Sequence, residues 1–214
     1  VYAGALPSKN PSVACTDAGE FVVSFTYWGT ATSAIRLTRY NASGVSQGNY
    51  SIWTQDSLRS WTPISRAAFC DSGFVVVYED STTANCRSIF LNYRKRDGTN
   101  VVNRIKVTNP GNPTESYNEY APAVAVNSSG YVVVVWQDER NGAVNPDIYY
   151  RTFQMQPGVN NLVQNGEGVV CNASYRDERP RVTVFPVGDF FVVWHQYQGN
   201  PGTAYDIRGR VYYG

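Results

Sequence analysis

The chain has 214 residues, 18 of them basic and 17 acidic, for a formal charge of +1. Near-neutrality, with no like-charge run beyond Arg94-Lys95-Arg96, excludes phosphate neutralisation as a main source of affinity and with it a nucleic-acid partner. The longest strongly apolar run is Tyr131 to Trp136, far short of the roughly 20 residues of a membrane helix, so no membrane insertion is expected.

From the N-terminus onward one pattern occurs four times. The segments PSVACTDAGEFVVSF, SRAAFCDSGFVVVY, PAVAVNSSGYVVVVW and PRVTVFPVGDFFVVW place Phe25, Tyr78, Trp136 and Trp194 in register, at intervals of 53, 58 and 58 residues. Short Val/Phe/Tyr runs punctuated by Gly, Asn and Asp turns at that period predict one four-stranded antiparallel blade of a β-propeller per repeat. The predicted fold is therefore all-β, a single four-bladed β-propeller over 1–214, with repeats at about 7–57, 58–116, 117–175 and 176–214. In the third repeat the strands are read as A, Pro122 to Val126; B, Tyr131 to Trp136; C, Asp147 to Phe153; and D, near Gly168 to Asn172. Strand B is almost continuously apolar, as expected of a strand with both faces covered.

The last repeat stops after its strand C, Asp206 to Tyr213. The last blade therefore lacks its outer strand and leaves an edge, and such edges rarely stay open. Either Val1 to Leu6 folds back to complete the blade, or a strand from a neighbouring molecule does.

Trp136-Gln-Asp138-Glu-Arg140-Asn-Gly142 followed by Asp147-Ile148-Tyr149-Tyr150-Arg151 resembles the W-x-D-x-R-x-G…D-I-Y-x-[QR] signature of β-propeller repeat proteins of secreted bacterial and archaeal type. The fourth repeat keeps Trp194 and Asp206-Ile207, while the first two keep only the aromatic and an Ile, Ile35 or Ile89. The resemblance implies a propeller and an extracellular setting. It brings no catalytic residues, because the signature is structural.

The four cysteines, Cys15, Cys70, Cys86 and Cys171, lack the closely paired spacing of a zinc site. Cys15 and Cys70 end the first strands of neighbouring repeats, which favours a Cys15–Cys70 bridge and leaves Cys86 with Cys171. Three connectivities exist, and four free thiols are the alternative. Sequons stand at Asn41, Asn49, Asn127 and Asn172, and those of Asn41 and Asn127 fall in predicted turns, where a glycan disturbs no packing. Cysteines, sequons and the shortage of lysine together point to a secreted, extracellular chain. No metal and no cofactor is expected; a calcium site from Asp138, Asn141 and Asp147 lacks the spacing of a calcium loop.

Catalysis needs a positioned nucleophile or an acid/base pair. The only histidine, His195, follows core Trp194, and no Gly-x-Ser-x-Gly elbow exists. Carboxylates such as Glu79, Asp80 and Glu139 could still assemble from loops for glycoside hydrolysis. The B to C loops of all repeats emerge on one face and carry Trp28, Asp138, Arg140, His195 and Tyr197, a candidate ligand face suited to stacking on a sugar ring. The sequence is read as a non-enzymatic extracellular structural or adhesive glycoprotein module, with self-association, as in a filament subunit, or with another extracellular protein or glycan as partner. The alternatives are a carbohydrate-binding lectin and a glycoside hydrolase-like propeller.

Overall fold

The computed structural model describes residues 8–28, 33–55, 65–83, 86–108, 116–156, 161–199 and 205–214. These form antiparallel sheets in which each strand pairs with the next in sequence. The first sheet holds β1 (Ser8–Cys15), β2 (Phe21–Trp28), β3 (Ser33–Tyr40) and β4 (Ser46–Gln55); the second holds β5 (Ser65–Cys70), β6 (Gly73–Thr83), β7 (Cys86–Arg94) and β8 (Asn100–Lys106). The third holds β9 (Glu119–Val126), β10 (Tyr131–Asp138), β11 (Asp147–Gln156) and β12 (Asn161–Cys171), and the fourth β13 (Arg176–Val184), β14 (Phe190–Tyr197) and β15 (Asp206–Tyr212). Among the described residues β15 pairs with β14 alone. Val1 to Leu6, the predicted closing segment, lies outside the described residues.

The recurrent glycine of each repeat has a local cause. Gly19, Gly130 and Gly188 have φ of 81°, 78° and 98°, and each donates its N–H to the carbonyl three residues back, at 3.0 Å. That tight turn between the first two strands needs a left-handed residue, which only glycine adopts without strain.

Alternation along each strand sends successive side chains to opposite neighbours. Phe74, Val76 and Tyr78 pack toward the first sheet, against Val22, Ile35 and Leu37. Val75 and Val77 pack toward the third sheet, against Val132, Val134 and Trp136. Val133 and Val135 meet Phe190, Val192 and Trp194 of the fourth. First strands run side by side along a common axis, β1 with β5, β5 with β9 and β9 with β13. Among the described residues no apolar core joins the fourth sheet to the first, and the outer face of the fourth leaves Ile207 68% and Val211 44% exposed.

The same alternation corrects the expected disulfides, for all four cysteines are free. Ala14 packs toward the second sheet, so Cys15 points away from it, while Cys70 points on toward the third, with its Sγ 3.9 Å from Met155 Sδ. Equivalent residues in consecutive sheets face the same way around the axis and never each other. Cys171 packs beside the core between the third and fourth sheets, while Cys86 opens β7 of the second sheet. Thiol labelling at pH 8 is expected to modify exposed Cys15 within minutes, Cys171 slowly and Cys70 only on unfolding. Burial raises the Cys70 thiol and, with the Asp177 hydrogen bond, pushes that of Cys171 up to about 11, leaving little thiolate. Mass mapping of the labelled peptides checks the order.

Candidate functional site

Three first strands carry the same irregularity. Asn10, Ala121 and Arg179 each precede a proline and have φ of 52°, 51° and 53°, where β1, β9 and β13 slip register against their partners. Such bulges cost about 1–3 kcal/mol for non-glycine residues, persist where the surroundings hold them, and re-aim side chains. The surroundings are visible: Glu79 Oε1 accepts from the Ala121 N–H at 2.8 Å, and Gln137 Oε1 from the Arg179 N–H at 3.3 Å. Glu79 and Gln137 stand one residue beyond Tyr78 and Trp136, so the sheet behind fastens the bulge of the sheet ahead. Past Trp194 the equivalent position is His195, whose half-buried ring lies 5.9 Å from that of Tyr205.

The bulges of β9 and β13 line a cavity of about 510 Å³ where β5, β9 and β13 begin. Glu178, only 6% exposed, is ion-paired with Arg176 in its wall. Tyr120 contributes a phenol that donates to Glu139 Oε1 at 2.8 Å and accepts from Gln137 Nε2 at 2.9 Å. Burial first, then the Glu139 carboxylate, pushes that phenol above its ordinary range, so it remains a neutral donor. Glu139 also accepts from Asn118 Nδ2 at 2.8 Å. A smaller groove of about 300 Å³, bordered by Tyr175 and Tyr197, adjoins the cavity through Arg176, which lines both. Tyr205 lines the cavity and its ring lies 5.3 Å from that of Tyr197, which makes the two recesses one tyrosine-edged trough.

Several residues of the predicted ligand face do other work. Asp138, fully buried, accepts from Trp136 Nε1 at 2.9 Å and from Arg140 N, Nε and Nη2 at 2.9, 3.0 and 2.7 Å. Arg140 bridges Asp138 to Glu167 at 2.7 Å and lies 3.9 Å over the Tyr149 ring. Although desolvation lowers it, the Asp138 and Glu167 carboxylates raise the guanidinium above its ordinary value. Both residues are a loop clamp rather than a ligand surface, because every charge is already met within the fold. Trp28 closes β2, and its side chain lies outside the described part. Asp147 accepts from Asn141 Nδ2 at 2.7 Å, and burial pushes its carboxyl up. No cluster of metal-ligating groups occurs among the described residues. Asp80, on the opposite face from Glu79, pairs with Arg104 at 2.7 Å. Of the predicted ligand face, His195 and Tyr197 remain at the trough.

Asn127 corrects the glycan expectation in one place. It is 6% exposed, and its Nδ2, the atom a glycan would occupy, donates to Phe185 O at 3.1 Å and Pro186 O at 3.3 Å. Its Oδ1 accepts from Tyr131 N at 2.9 Å. Asn127 is a structural turn residue tying the third sheet to the fourth; Asn49 and Asn172 are exposed and Asn41 half so. Asn127→Ala is expected to destabilise the fold by about 1–3 kcal/mol, since the Phe185 and Pro186 carbonyls and the Tyr131 N–H lose the partner that ties the two sheets. Urea unfolding of the variant against wild type measures it.

No protein-family model matches the chain, and no curated protein is similar to it in sequence. Solved structures do match. A thermostable family-43 glycoside hydrolase is 15% identical with a TM-score of 0.56, covering 95% of this chain and 71% of its own. An α-L-arabinofuranosidase from Lactobacillus brevis is 11% identical at 0.55, over 95% and 72%. An endo-arabinase from Bacteroides thetaiotaomicron is 12% identical at 0.53, over 97% and 76%. The chain thus has the all-β propeller fold. These neighbours overturn the expectation of a non-enzymatic structural, adhesive or filament-forming module, since all three, matched over almost the whole of this chain, are glycoside-cleaving enzymes.

Proposed function

We propose that this chain is a carbohydrate-active enzyme of the glycoside hydrolase type, built as a propeller whose four sheets are successive blades and acting outside the cell. The observation that carries the reading is the axial cavity holding the buried carboxylate Glu178 beside an open, tyrosine-edged trough. A binding module needs only the aromatic surface. A largely buried carboxylate, ion-paired in a cavity wall and reachable from the trough, is what bond cleavage needs in addition.

Glycoside cleavage uses two carboxyl groups about the scissile bond. Glu178 is the reacting carboxylate of the cavity, oriented by Arg176. Glu139, held by Tyr120 and Asn118, is the second carboxyl, one phenol away from the cavity. Tyr120 fixes Glu139 from one side and offers its ring to a sugar from the other. Tyr205 and Tyr197 extend the platform for further sugar units, as aromatic faces stack on pyranose or furanose rings.

Incubation of the protein with a polysaccharide panel, neutral arabinan, xylan and galactan beside polygalacturonate, alginate and sulfated galactan, is expected to release new reducing ends from at least one. Binding without any release across the panel would replace this reading by that of a lectin.

A further inference from the structure

The chain as a whole is almost neutral, yet its axial cavity is not. Arg66, Arg176, Arg179 and Arg181 line it, and among the described lining residues only Glu178 carries the opposite charge. Three of the four arginines come from β13, and the bulge is the reason they meet. Register pairs Arg176, Glu178 and Arg181 with Tyr197, His195 and Val193, alternate residues that share one face of β14. In an unbroken strand Glu178 and Arg181, three apart, would point to opposite faces. The extra residue at Arg179-Pro180 returns Arg181 to the side of Glu178.

Arg66 enters from β5. Burial first, then the Arg181 guanidinium, lowers its pKa, against the raising influence of the Glu79 carboxylate. Arg179 is exposed at the cavity, and Arg181 donates an Nη1 hydrogen to Pro180 O at 2.8 Å. Arg176 is met by Glu178 and Arg66 feels the Glu79 carboxylate, so the exposed Arg179 and Arg181 are the guanidiniums that an incoming anion would join. Guanidinium forks match carboxylate and sulfate oxygens in a bidentate way.

We propose that the cavity takes an anionic sugar unit, a uronate or a sulfated residue, of a polysaccharide laid along the tyrosine trough. This inference rests on the carbohydrate reading above and narrows its substrate class. The acidic group sits between Arg179 and Arg181, while Arg176 stays with Glu178 and Arg66 with its own surroundings beside Glu79. Neighbouring units of the polymer run over Tyr205 toward Tyr197 and Tyr175. Affinity falls with ionic strength, because the exposed arginines are screened.

Affinity electrophoresis and calorimetry with polygalacturonate, its carboxyl-reduced neutral derivative, a sulfated galactan and its desulfated derivative test the proposal. At low salt one acidic polymer is expected to bind at least about tenfold more tightly than its neutral derivative, and which pair shows the difference identifies carboxylate or sulfate. Arg179→Gln combined with Arg181→Gln is expected to lower that affinity by about tenfold or more, in line with the loss of one or two charge-assisted hydrogen bonds. Arg36→Gln, at an exposed arginine of the first sheet, is expected to leave it unchanged. Equal binding or cleavage of neutral and acidic polymers overturns the anionic preference while leaving the hydrolase reading intact. Selective binding of an acidic polymer without cleavage supports the preference and counts against the hydrolase. Binding of a single-stranded oligonucleotide as tight as that of the acidic polymer overturns the proposal as well, because it would mean capture of any polyanion.

Discussion

Replacing Trp136 by alanine is expected to destabilise the protein by about 3–5 kcal/mol, the range for truncating a large buried aromatic. The indole is fully buried in the core between the second and third sheets, 6.3 Å from the Tyr149 ring and nearly parallel to it at 22°. Its removal opens a void between rigid sheets that cannot close over it. It also deprives Asp138 Oδ2 of the hydrogen bond that the Trp136 Nε1–H donates. Trp136→Phe keeps most of the volume and loses the N–H, so it is expected to fall between wild type and alanine. Denaturant melts of the three proteins give the ranking; a Trp136→Ala midpoint equal to wild type would mean the sheets are not packed through this residue.

Asp138→Ala is expected to have an effect of similar size, about 3–5 kcal/mol, through a different cause. Breaking a buried ion pair by removing one partner leaves the other charge uncompensated. Arg140, 20% exposed, would keep Glu167 but lose three hydrogen bonds to Asp138, and the loop after β10 would lose its anchor at Arg140 N. Because Glu139, the proposed second carboxyl, lies between these residues, activity is expected to fall with loop order. Limited proteolysis between β10 and β11 would report the loosened loop, and a variant as resistant as wild type would contradict the clamp.

Much of the sheet plan is legible in the sequence because its causes are local. The Val-rich second strands, the left-handed glycine at Gly19, Gly130 and Gly188, and the aromatics Tyr78, Trp136 and Trp194 repeat at fixed spacing and keep their places in the fold. In the third repeat predicted strand D, near Gly168 to Asn172, meets only the end of β12, which runs from Asn161 to Cys171. Predicted strands A, B and C fall within β9, β10 and β11, with β9 beginning three residues earlier at Glu119. Those three residues matter most for the site. Glu119 to Ala121 precede Pro122 and read as loop by pattern, since proline discourages a strand interior; the bulge accommodates it, and Tyr120 reaches the cavity. The same applies to Arg176 to Arg179 ahead of Pro180.

The candidate site was less visible, because its residues come from three sheets and are aligned by bulges that shift alternation. Asp138 and Arg140 drew notice through their spacing, yet that spacing serves a clamp. Glu178 and Tyr120 sit in no recognised motif. A signal was available in the X-Pro step shared by Asn10-Pro11, Ala121-Pro122 and Arg179-Pro180, which marks the axial end of each first strand. The disulfide expectation fails for a similar reason: equal height in adjacent repeats does not bring two side chains together when both point the same way around the axis.

The most direct test of the account is the turnover of Glu178→Gln on whichever polysaccharide the wild-type protein cleaves. Glutamine keeps the shape and the Arg176 side of the cavity but can neither take up a proton nor act as a nucleophile, so reducing-end release is expected to drop about a thousandfold. Polysaccharide binding and the unfolding midpoint are expected to stay near wild type. A Glu178→Gln protein that releases reducing ends at the wild-type rate would contradict the placement of the reaction in the axial cavity.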